Sequence, residues 1–146
     1  MRPFPSHLLP LALLPLLTGC PMDQSCTLLY APDQVLIEFQ ADAFATGEWQ
    51  VAVADEVCTI TLPGAEADVV CPLDDLPLTL TLNDDGTAIT EALLFGAGPA
   101  SLAVEVSHDG VIVASETLSP TYELFEPNGA GCGESKAGTT VLDLDG

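Results

Sequence analysis

Positive charge is almost missing from this sequence: 2 Lys and Arg stand against 22 Asp and Glu in 146 residues. So negative a chain repels phosphate backbones and anionic head groups. Nucleic-acid binding is excluded, and so is membrane attachment through a basic patch. Aromatic residues are few, at 5 %, which leaves little material for the exposed platforms that stack sugars. No hydrophobic stretch reaches the ~20 residues of a bilayer span. The run from Leu8 to Leu17 is roughly half that and carries Pro10 and Pro15. No Cys-x-x-Cys pair occurs, and His108 is the sole histidine after His7, a poor ligand set for zinc.

What is present argues for a folded body. The chain is 48 % hydrophobic and only 16 % charged, enough apolar material to bury a core rather than stay disordered. Its length suits one domain.

The first residues read differently from the rest. Met1 to His7 carries a single positive side chain, Arg2, and precedes the leucine-rich run. Small residues follow at Thr18 and Gly19. This is the n-region, h-region and cleavage pattern of a secretory leader. Leu17-Thr18-Gly19-Cys20 resembles the lipobox of bacterial lipoproteins, with an aliphatic residue, a small residue, glycine and cysteine in order. The resemblance is confined to the leader and its cleavage site. It implies removal of residues 1–19, a diacylglycerol on the Cys20 thiol, and a place in the bacterial cell envelope, on the inner or outer membrane. The chemistry suits those residues. Small side chains let the backbone enter a narrow protease site, and a thiolate supplies the nucleophile for a thioether. Each buried methylene contributes about 0.8 kcal/mol, so two or more acyl chains hold a protein stably.

After such cleavage Lys136 is the one strong base left beside 22 carboxylates, a formal charge of −21. Residues 20–25 form a short tether, and Pro21 to Ser25 reach at most about 18 Å. A domain over residues 26–127 and a Gly-rich acidic tail over 128–146 follow.

Setting Cys20 aside leaves Cys26, Cys58, Cys71 and Cys132. An even set in an exported chain reads as disulfides, with three possible connectivities. Cys58–Cys71 with Cys26–Cys132 is favoured. The first joins neighbouring strands across the Pro63-Gly64 turn, and the second ties the ends of the domain together.

The mature chain alternates with period two. Val35, Ile37 and Phe39; Trp49, Val51 and Val53; Ile60 and Leu62; Leu78, Leu80 and Leu82; Leu102, Val104 and Val106; Val111 and Val113; and Tyr122 and Leu124 are each separated by one residue, in most cases polar or small. This marks half-buried strands. Gly, Asn and Asp punctuate them, as at Asn83-Asp84-Asp85-Gly86 and His108-Asp109-Gly110. The expectation is an all-β, antiparallel, disulfide-stapled sandwich of about seven strands, resembling the immunoglobulin fold in general architecture. Thr87 to Phe95 reads as strand or loop, although Thr90 to Leu94 has short-helix character. Val141, Asp143 and Asp145 suggest a last edge strand or a mobile end.

No catalytic constellation stands out. Ser107, His108 and Asp109 are sequence neighbours, whose side chains alternate between faces in a strand, so His108 reads as a turn residue. Trp49 falls in the inward phase and reads as core. Asp74-Asp75, Asp84-Asp85 and Asp143/Asp145 offer hard oxygen ligands but lack the spacing of an EF-hand. Turn formation and weak divalent counter-ions account for them. The expected function is a non-enzymatic, lipid-anchored module of the envelope, with a binding or structural role, an unspecified ligand, room for a protein partner and no cofactor. The alternative is a calcium-dependent binding module or a small envelope hydrolase.

Overall fold

The computed structural model describes residues 26, 31–71, 78–96 and 98–146. Nine strands run in order: β1 (Gln34–Gln40), β2 (Gly47–Val53), β3 (Glu56–Leu62), β4 (Leu78–Leu82), β5 (Ile89–Phe95), β6 (Leu102–His108), β7 (Val111–Leu118), β8 (Thr121–Phe125) and β9 (Ser135–Asp143). They form two sheets, β4-β5-β1-β9-β8 and β3-β2-β6-β7. Over the described residues the molecule is an all-β sandwich with nine strands, where about seven were expected. Most pairings are antiparallel, but β1 and β9 run parallel over Gln34 to Gln40.

Alternation builds the core as expected. Ile37, Val51, Val53 and Val106 lose all contact with solvent, and Trp49 is 6 % exposed. Each such aliphatic side chain contributes about 1.5–3 kcal/mol on burial. The Thr87–Phe95 stretch resolves into β5, which pairs with β4 on one side and β1 on the other. Two ladders outweigh the helical preference of Glu91, Ala92 and Leu93.

The segment read as a tail belongs to the sandwich. β9 lies between β1 and β8, so it is neither an edge strand nor a loose end. Its inward row holds Gly138, Thr140 and Leu142, facing the row of Val35, Ile37 and Phe39. Gly138 is empty on purpose: a Cβ there would stand 2.5 Å from the Tyr122 ring. Tyr122 fills the space from β8, and its hydroxyl donates to Pro99 O at 2.7 Å. Burial and then the Asp33 carboxylate raise the Tyr122 pKa above its usual 10.0.

Both disulfides form as favoured, Cys26–Cys132 and Cys58–Cys71. Cys26–Cys132 spans 106 residues and fastens the incoming chain to the β8–β9 connection. Nearby, Ser135 Oγ donates to Ala31 O, and Lys136 N donates to Asp33 Oδ1. The chain therefore enters at the end of the sandwich where β1 and β9 begin.

Candidate functional site

Each sheet has two edge strands, and the connections group them into two flanks. β3 and β4 bound one flank. After Leu62 the chain makes a 3-10 turn at Glu66–Asp68 and returns along β3. Thr59 and Val70 exchange both backbone hydrogen bonds, at 2.8 and 2.9 Å. Cys58–Cys71 locks the return beside that bridge, with Cα atoms 4.2 Å apart. Gly64 N donates to Gly86 O at 2.8 Å, joining the turn after β3 to the turn after β4. Gly86 has φ +66, and a Cβ there would strike the Gly64 carbonyl. Only glycine suits that position.

β7 and β8 bound the other flank, and among the described residues no strand pairs with the outer side of β7. β7 is exposed almost throughout. Val111 is 66 % exposed, Ile112 57 % and Val113 43 %, while Leu124 of β8 is 61 % exposed. This corrects the expectation that Val111, Val113 and Leu124 are half-buried. The β6–β7 register shifts at Val106/Ser107, which breaks the inward phase. An edge position then leaves the remaining apolar surface uncovered.

The hairpin carrying this edge is firmly held. Asp109 and Gly110 have φ 48 and φ 78, the mirror-image turn that matches strand twist. Asp109 N donates to Glu48 O at 2.8 Å, and Asp109 Oδ1 accepts from Glu48 N at 2.9 Å. His108 is the last residue of β6 rather than a turn residue. Its ring stacks on Trp49 at 4.6 Å. Its Nε2 lies 3.0 Å from Thr46 O and 3.4 Å from Asp109 Oδ2. Trp49 Nε1 donates to Ala45 O at 2.9 Å, and Phe44 meets its edge at 4.9 Å. The imidazole is thus occupied in latching the hairpin to β2. Ser107 pairs with Gln50 in the alternate row, facing away from His108.

Beside the free edge, the outer face of the β2-β6-β7 sheet carries a depression of about 380 Å³. Ala52, Ala54, Ala103, Ser115 and Thr117 line it, with Glu105 and Glu116. Small side chains make the hollow, and Glu105, in the same row as Ser115, gives it negative charge, whereas Glu116 pairs with the buried Val104 and lies in the opposite row. A second hollow of about 300 Å³ holds Val35, Leu94, Phe95, Pro99 and Leu102, and no ionisable group lines it.

Of the remaining sequence candidates, Cys20 and Asp74-Asp75 lie outside the described residues. Asp84 and Asp85 sit in a turn organised by Asn83, whose Oδ1 accepts from Thr87 N and Ala88 N. Asp143 and Asp145 are exposed and accept from backbone amides: Asp143 Oδ1 from Asp145 N, and Asp145 Oδ2 from Asp42 N just past the end of β1. Among the described residues, no group of three His, Cys, Asp or Glu side chains is arranged to hold a metal. The free edge itself was missed in the sequence. Its sign was the unbroken triplet Val111-Ile112-Val113, which gives a strand the same character on both faces. No family model, no curated protein and no solved structure matches the chain.

Proposed function

We propose that this protein is a lipid-anchored, non-enzymatic binding module of the bacterial cell envelope, displaying the β7 edge to a protein partner. The observation that carries the anchor is Leu17-Thr18-Gly19-Cys20 at the end of a leucine-rich leader. Two features of the domain agree with it. Paired cysteines suit an oxidising compartment. Cys26, a few residues past the acylation site, is tied to the body through Cys132, so a lipid at Cys20 holds the domain close to the bilayer. With −21 formal charges, the body stands off an anionic surface and leans on its lipid alone.

The binding role rests on the uncovered edge. Strand edges add extended peptides through main-chain hydrogen bonds, with side-chain pockets giving selectivity. The non-enzymatic reading is supported by His108, which is engaged by Trp49, Thr46 and Asp109 rather than by a nucleophile.

Metabolic labelling with an alkyne palmitate analogue tests the anchor. The wild-type chain takes up label and partitions into detergent, whereas Cys20→Ser stays unlabelled and keeps its leader. An unlabelled wild-type chain, with Cys20→Ser indistinguishable in size and partitioning, would falsify the assignment.

A further inference from the structure

We propose that β7 pairs with an extended, basic segment of a partner protein, in which Lys or Arg alternates with apolar residues and one cationic side chain enters the depression beside Glu105. This deepens the binding half of the proposed function by naming the partner's chemistry.

Three observations converge on that partner. The outer side of β7 has free backbone donors and acceptors among the described residues, and the latched hairpin keeps them in place. Ordinary edges are blunted by Lys, Pro or a covering segment. β7 has neither Lys nor Pro between Val111 and Leu118. Val111, Ile112 and Val113 offer apolar area to a partner's alternate side chains.

The depression sets the polarity of the occupant. A strand added to β7 lies about 4.8 Å away. A long side chain on its outward face extends back over Ser115 and Thr117 toward Ala52 and Ala103. An aliphatic stem rests on those small residues while its cation meets Glu105. A carboxylate in the same place meets a like charge. A second copy of this chain is disfavoured as the occupant because each copy carries the same large negative charge. A basic segment is instead drawn in by that field.

The test uses the purified full chain and a fluorescein-labelled peptide of alternating Lys and Val, matched to the 8 residues of β7. Two control peptides replace Lys by Glu or carry N-methylated amides on the ladder side. The Lys-Val peptide binds saturably, more weakly at about 150 mM NaCl than at low salt, and adds hydrogen-exchange protection to β7 amides. Neither control binds. The variant Glu105→Gln keeps the wild-type melting temperature and loses about threefold in affinity. The proposal is overturned by equal binding of either control, by protection that appears away from β7, or by a dimer of the chain that occupies β7 itself. Lipid labelling reads the anchor in cells and the peptide titration reads the edge in solution, so either can fail while the other stands.

Discussion

The two flanks of the sandwich are built from the same kind of strand and finished in opposite ways. At β3 and β4 the chain spends residues 63–71 covering the edge. It satisfies Thr59 with Val70, bonds Gly64 to Gly86 and adds Cys58–Cys71. At β7 and β8 the chain turns through Ser119-Pro120, and among the described residues nothing covers Val111, Ile112, Val113 and Leu124. An exposed apolar edge is an aggregation hazard that folded proteins normally suppress. Suppressing it with such investment on one side and not on the other points to use. One flank carries stability, and the other is the one we propose for recognition.

That contrast can be broken by substitution. The largest effect is expected from removing the staple. Cys58→Ser with Cys71→Ser closes no loop across their separation of 13 residues and should cost about 3 kcal/mol, read as a fall in denaturation midpoint. Gly86→Ala comes next. It forces a side chain onto the Gly64 carbonyl at positive φ and should cost about 2 kcal/mol in the same assay. Tyr122→Phe on the other flank removes one hydrogen bond to Pro99 and should cost about 1 kcal/mol at neutral pH.

Tyr122 also gives a pH signature. Its folded pKa is raised above 10.0 by burial and by Asp33. Its contribution is therefore complete below pH 10 and is lost as pH rises through the folded value. Melts between neutral and strongly alkaline pH should converge for wild type and Tyr122→Phe. If they run parallel instead, the clasp does not depend on that proton.

The smallest effect is expected at β7. Val111→Thr with Ile112→Thr should move stability by no more than about 0.5 kcal/mol. A cost like that of the staple would mean that β7 is already packed against something, and the contrast between flanks would be lost.

Much of the sandwich was legible because its inward rows are bulky and regularly spaced. Trp49, Val51 and Val53 sit where alternation places them, and so do Leu78, Leu80 and Leu82. The cysteine pairs were legible from number and position. β9 was not. Its inward row includes Gly138 and Thr140, and the missing volume comes from Tyr122 on a different strand. With Leu142 its one bulky inward side chain, the strand leaves no hydrophobic period to read. Nor was the parallel pairing of β1 with β9 visible, since pairing direction depends on partners far apart in sequence. The candidate site was the least legible part. Exposure of Val111 follows from a register shift on β6 and from the lack of a neighbour among the described residues, and the triplet Val111-Ile112-Val113 hints only at the second.

The covalent fastening of Cys26 to Cys132 has a mechanical consequence. A pull on the chain ahead of Cys26 reaches the body through the start of β1 and the loop leading into β9 together, because the two strands begin at the same end. Pulled from one end, the two strands move together along their seven paired positions, Gln34 with Ala137 through Gln40 with Asp143. The load then falls in shear on the ladders that hold them to β5 and β8.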